Sequence, residues 1–258
     1  MTTETEAEAI AQDILAAAPF DPRAPENGRD LAAAYAVQDA LAARLEAALG
    51  AVAGWKIAVN APALMAHFGV TEPASGRVCA QLRQDAPARR KASDFRDFAY
   101  EPEIAAVMDR TLSPQAAPFI RDDVASAVAR FVPALELLDL RGATMPTMHL
   151  PDVVAQNITN AGAVIGGPGI APDALDPAQL HTRVQVNEAE ALSVTGGAPQ
   201  HPLDAVTWLA NHLAGRGLPL EAGQIVLCGT HAPIAPVSGP AEIVVEMSGL
   251  GTASLVLE

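Results

Sequence analysis

Glu101 and Glu103 stand two residues apart in the segment Tyr100-Glu101-Pro102-Glu103-Ile104-Ala105-Ala106-Val107-Met108. On a strand, residues i and i+2 leave the same face with Cα atoms ~7 Å apart, so this spacing aims two carboxylates in one direction. Pro102 cannot donate to a strand ladder, which predicts an edge or a bulge at this point. A third acid, Glu136, interrupts the apolar run Pro133-Ala134-Leu135-Glu136-Leu137-Leu138-Asp139. Three carboxylates brought by two strands form a hard, all-oxygen site for Mg²⁺ or Mn²⁺, completed by water and substrate oxygens. The same residues also fit a solvated strand face with Glu136 paired to an arginine, since carboxylates mostly stay in water. Spacing alone leaves both readings open.

Lys56 lies among apolar neighbours in Gly54-Trp55-Lys56-Ile57-Ala58-Val59, in a chain with two lysines against fourteen arginines. Such a lysine either snorkels its ammonium to the surface or points into a polar cleft as a charge partner or proton carrier. Residues 152–162 combine Gln156, Asn157, Thr159 and Asn160, whose amides and hydroxyl can bind carboxylate or keto oxygens or cap a helix and shape a turn. Gly166-Gly167-Pro168-Gly169 lacks both phosphate-loop spacings and reads as a turn. The six histidines form no HxH or HExxH pattern, and no GxSxG elbow occurs.

The elements that must position these groups follow from periodicity. Residues 4–18 read as a helix, broken by Pro22, Pro25, Asn27 and Gly28. Asp30 caps a second helix over residues 31–49, stopped by Gly50. A strand is expected at 52–59 and a short helix at 62–68, with 71–98 loop-rich. Strands are then expected at 100–108, 131–139, 182–188, 224–229, 241–247 and 252–257. Helices are expected at 121–130, 151–161 and 202–216. The strands do not alternate regularly with helices, which excludes a doubly wound parallel sheet and predicts an α+β fold.

The 258 residues carry a net charge of −14, with 50% hydrophobic and 18% charged residues. That composition supports a large core and excludes a disordered chain. The acidic balance argues against nucleic-acid binding, which needs clustered cations to displace counterions. No apolar run approaches the ~18 residues of a membrane span. The first twenty residues open on acids and lack the pattern of a signal peptide. Cys79 and Cys228 stand far apart without a CxxC motif, as in a protein of a reducing compartment.

Taken in order, these segments resemble the 2-keto-4-pentenoate hydratase / 2-oxo-hept-4-ene-1,7-dioate hydratase family of the fumarylacetoacetate hydrolase superfamily. Gly54-Trp55-Lys56-Ile57, Glu101-Pro102-Glu103-Ile104-Ala105 and Pro133-Ala134-Leu135-Glu136 carry the resemblance. It continues through residues 152–166, His201-Pro202-Leu203-Asp204-Ala205-Val206 and Ala222-Gly223-Gln224-Ile225-Val226-Leu227-Cys228-Gly229. The resemblance implies a fumarylacetoacetase C-terminal-like mixed β-roll or sandwich, with residues 1–70 as a helical region packed on a catalytic core of residues 71–258. It implies a cytoplasmic homo-oligomer in aromatic catabolism that hydrates a small 2-oxo acid. By the same resemblance Glu101, Glu103 and Glu136 hold Mg²⁺ or Mn²⁺, Lys56 lines the site, and Asn157, Thr159 and Asn160 contact substrate. One departure stands out: Ala74 follows Pro73 where relatives often carry an acid, which leaves Glu72 as the expected proton-transfer group. A decarboxylase or C–C hydrolase using the same chelate, and a non-catalytic keto-acid binder, are the alternatives.

Overall fold

The computed structural model describes residues 2–23 and 30–258. The expected break at Pro25, Asn27 and Gly28 lies outside them. Helix α1 spans Thr3–Leu15 and α2 spans Leu31–Leu49, where the Asp30 side chain accepts from Ala33 N and Gly50 ends the run at φ 77°. Strand β1 (Val52–Ala58) leads into α3 (Pro62–Phe68), which Gly69 terminates in the left-handed region. The stretch expected to be loop-rich instead holds β2 (Ala74–Cys79), β3 (Arg83–Asp85) and β4 (Ala88–Arg90). Their polar residues pair because longer strands flank them, a tertiary condition that local pattern does not carry.

Strand β5 (Phe98–Met108) is followed by α4 (Arg121–Ala125) and β6 (Val128–Asp139). The helix expected over 121–130 therefore stops early, because its last residues are drawn into the β6 ladder. Helix α5 (Leu150–Ala155) also falls short of the expected 151–161. Asn157, Ile158 and Thr159 all take positive φ (59°, 48° and 55°), turning the chain into β7 (Asn160–Ile165). The remaining elements are β8 (Gly167–Pro168), β9 (His181–Val186), β10 (Ala189–Thr195) and α6 (Pro202–Gly215), then β11 (Ile225–Thr230), β12 (Ala235–Pro236), β13 (Ala241–Met247) and β14 (Gly251–Leu257). Strand β10, absent from the expected set, is a largely exposed edge strand paired only with β9.

Two mixed sheets result, giving an α+β architecture. The first runs β2-β1-β11-β5-β6-β7-β3, with β12 added to β5, and the second runs β10-β9-β13-β14-β4, with β8 on β14. Because β1 lies between β2 and β11, the first sheet contains strands from both sides of residue 70. Phe131, Leu135 and Val164 of the first sheet pack with Val184, Ile243 and Leu255 of the second, together with Leu209 and Leu213 of α6. Helices α1, α2 and α5 form a separate apolar cluster that includes Ala74.

Alternation decides what faces where. On β5 and β6, Ile104, Ala106, Leu135 and Leu137 enter the inter-sheet core. Their neighbours Ala105 and Ala134 belong to a small cluster on the opposite face. Glu101, Glu103 and Glu136 share that second face by the period-2 rule. Pro102 is not on an edge, since β5 pairs with β6 and β11. The expected bulge is present in the partner instead: the β11 register shifts between Leu227 and Thr230 opposite Ala105 and Glu103. Pro102 O accepts from His231 N at 2.9 Å, so its donorless nitrogen faces this irregular stretch rather than the regular β6 ladder.

Candidate functional site

Glu101 and Glu136 are direct cross-strand partners, and Glu103 lies two residues along β5. One oxygen from each of the three carboxylates lies within 4.8 Å of the others. All three are buried: Glu101 is 8% exposed, Glu103 1% and Glu136 0%. Lys56 arrives from β1, and its Nζ lies 3.1 Å from Glu136 Oε2. The solvated-face and snorkelling alternatives therefore do not describe these side chains. Gly76, opposite Lys56 on β2, leaves room for the lysine stem, since a Cβ there would stand 3.1 Å from Lys56 Cγ.

Burial raises the Glu101 carboxyl to about 8, with Glu136 adding to the rise and Lys56 opposing it. Glu103 is pushed well above the ordinary range, first by burial and then by the neighbouring carboxylates. At Lys56, burial acts against the ammonium, but attraction to Glu136, Glu101 and Glu103 outweighs it and the pKa is raised. Three carboxylates and one ammonium sum to −2 when fully ionised. Like charges this close cannot all ionise without a compensating cation, which is the electrostatic demand of a divalent metal site.

Neighbouring groups hold the cluster in place. Asn160 Nδ2 donates to Glu136 Oε1 at 2.8 Å. Gly229 N donates to Glu103 Oε2 at 2.7 Å. Gly229 sits at φ 111°, and a Cβ there would meet the Asn60 side chain at 2.5 Å, so only glycine fits. Asn60 in turn donates from Nδ2 to Cys228 O at 2.9 Å. Gly229, Asn60 and Thr230 have no role in the site expected from sequence. A glycine within an apolar strand was the available signal for Gly229, because it marks a bulge or a close approach.

Asn157 serves the backbone: its Oδ1 accepts from Arg77 N and its Nδ2 donates to Arg77 O, at 2.7 and 2.8 Å. These bonds anchor the left-handed turn to β2. The β-branched Ile158 is strained there, a conformation that costs of order 1–3 kcal/mol. The turn delivers Thr159 to the cavity wall and Asn160 to Glu136.

A cavity opens over Lys56, Glu101 and Glu103. Thr159 and Thr230 line it, and its outer walls are apolar, with Leu64, Phe68, Met148 and Val153 among them. Glu72 does not join this site. It is exposed and lines a surface hollow with Tyr35, Asp39 and Arg216. The loop expected to bring it inward enters β2 after Pro73, and Ala74 is the residue facing Ala58 on the Lys56 side of the sheet. Cys79 and Cys228 are both buried and free. No helix among the described residues is long and apolar enough to cross a membrane.

A family model, fumarylacetoacetate (FAA) hydrolase C-terminal, matches residues 70–257. The 2-oxo-hept-4-ene-1,7-dioate hydratase of Escherichia coli is 33% identical over 233 residues, covering 86% of this chain and 84% of that protein. The 2-hydroxyhexa-2,4-dienoate hydratase of Comamonas testosteroni is 31% identical over 207 residues, covering 79% and 77%. Among solved structures, 4-oxalocrotonate decarboxylase from Pseudomonas putida G7, complexed with magnesium and adipate, superposes with a TM-score of 0.90 at 27% identity. It covers 99% of this chain and 97% of that one.

Proposed function

This chain belongs to the fumarylacetoacetate hydrolase family, and we propose that within it the protein is a metal-dependent hydratase. It protonates a 2-hydroxydienoate at its far end to give the 2-oxo-3-enoate, whose alkene is conjugated with the C2 carbonyl, and adds water to that alkene to give a 4-hydroxy-2-oxo acid. The observation that carries this reading is the buried cluster of three carboxylates beside Lys56 at the base of an apolar cavity. Glu101, Glu103 and Glu136 would hold the cation, and their hard oxygens suit Mg²⁺ or Mn²⁺. When bound, such a cation supplies Lewis acidity toward the carboxylate and C2 oxygen of a 2-oxo acid.

The chain's own groups then divide the work. Asn160 fixes the Glu136 carboxylate and the Gly229 N–H fixes that of Glu103, so two of the three acids are oriented before anything binds. Lys56 is the one titratable group outside the carboxylate cluster among the described residues lining the cavity. Its Nζ is therefore our assignment for the proton and positive charge that meet the substrate head. The hydroxyls of Thr159 and Thr230 supply neutral hydrogen-bonding groups on the wall. The apolar walls shield the hydrocarbon part from bulk water. Two free, buried cysteines fit a cytoplasmic setting, and homo-oligomeric assembly completes the proposal.

The test is loss of dienoate absorbance from 2-hydroxypenta-2,4-dienoate with Mg²⁺ and with EDTA, with the product identified as the 4-hydroxy-2-oxo acid. Turnover that EDTA abolishes is expected, and absence of any metal-dependent loss refutes the proposal. The similarity to the solved decarboxylase favours one second reading. Release of CO₂ from 2-oxohex-3-enedioate, without hydration of the pentadienoate, would replace hydratase by decarboxylase.

A further inference from the structure

The cavity divides into two chemically different halves. Its floor carries Lys56, Glu101 and Glu103, and its outer walls carry Leu64, Phe68, Met145, Met148, Val153 and Ile234. Met145 and Ile234 are 38% and 36% exposed, unusual for large apolar side chains, and both lie on this cavity. Asn60, Thr159 and Thr230 are the neutral polar residues along it. Among the described lining residues, Lys56 is the sole cation, and it is already engaged with Glu136 at 3.1 Å.

Arginines do occur in a neighbouring hollow that shares Thr159 with this cavity. Neither lines the cavity itself. Arg141 Nη2 donates to Gln156 Oε1 at 2.7 Å, and Arg90 Nε lies 3.3 Å from Asp94 Oδ2. Among the described residues, the lining away from Lys56 thus presents no positive charge to a ligand whose head sits on the floor. A carboxylate placed there would lose its water without gaining a partner, which is among the most unfavourable burials in proteins.

Resting on the hydratase reading above, we infer that the protein selects 2-hydroxydienoates whose distal end is uncharged, and rejects the dicarboxylic substrates that end in a second carboxylate. The two methionines add tolerance. Their unbranched, polarisable side chains adapt to tails of different shape. Alkyl-extended monocarboxylates therefore belong to the accepted class.

The experiment compares two saturated analogues of equal length that differ only at the far end, 2-oxoheptanoate and 2-oxoheptanedioate. Binding is measured by calorimetry on the full chain with saturating Mg²⁺, and turnover of 2-hydroxypenta-2,4-dienoate is followed in parallel. The monocarboxylate is expected to bind on the order of 10²-fold more tightly. Ile234→Arg and Met145→Arg, at partly exposed positions where a cation can stay hydrated, are expected to narrow that gap at least tenfold. A gap below about tenfold in the unmodified protein, or failure of both analogues to bind, overturns the inference. Retained preference without pentadienoate turnover removes the hydratase reading while the distal-end selectivity stands.

Discussion

Consider the metal-free protein moved from pH 6.5 to pH 8. Glu101 titrates near 8 when folded and near 4.5 when unfolded, and Glu103 is raised in the same direction. The folded state therefore holds protons that the unfolded state has released, and stability falls as pH rises across this interval. His212 and His231 act oppositely: burial lowers both to about 4, so they add stability as pH rises, but only up to their ordinary 6.5. Above 6.5 the carboxylates act without that opposition. A retained proton costs about 1.4 kcal/mol per pH unit, so 1.5 units cost about 2 kcal/mol for Glu101, and Glu103 adds to the loss in the same direction. At about 2–4 °C per kcal/mol for a chain of this size, the melting temperature should drop by at least roughly 4–8 °C. Scanning calorimetry in EDTA at the two pH values measures it. Added Mg²⁺ should abolish or reverse the drop, because cation binding displaces the same protons. Glu103→Gln, which keeps an oxygen to accept from Gly229 N, should shrink the drop and end Mg²⁺-dependent turnover while the protein stays folded. A metal-free melting temperature that is flat or rises between pH 6.5 and 8 would refute the electrostatic account of the cluster.

Three further outcomes follow from the site. Lys56→Met should lower kcat/KM by about 10²-fold or more with far-UV dichroism unchanged; unaltered kinetics would remove Nζ from the reaction. Glu72→Gln should leave kcat within about twofold, since its exposed carboxylate lies outside the cavity, and a loss of the ~10²-fold typical of a general acid would contradict that placement. Asn160→Leu leaves Glu136 Oε1 without its donor and should weaken Mg²⁺ affinity by ~10- to 100-fold, read by calorimetry; unchanged affinity would make the contact incidental.

The residues themselves determined much of this protein. Asp30, Gly50, Pro62 and Gly69 delimit two helices as capping chemistry requires. The Glu101/Glu103 spacing fixed two carboxylates to one face of whichever strand carried them, because alternation is a property of the backbone alone. What the sequence could not decide was which face that would be. Strands β5 and β6 are buried on both sides, so hydropathy along them is continuous and carries no alternating signal. The register that sets Glu101 opposite Glu136, and the β1–β11–β5 order that brings Lys56 to both, are long-range pairings. Local propensity also misjudged residues 156–161, a helical pattern on paper. The Asn157 bonds to Arg77 reward three left-handed residues that the turn requires, and that reward exists only once β2 lies alongside. Glu72 is the counterpart: close to Ala74 in the chain, it was separated from the site when the strand began after Pro73 and turned its carboxylate to the surface.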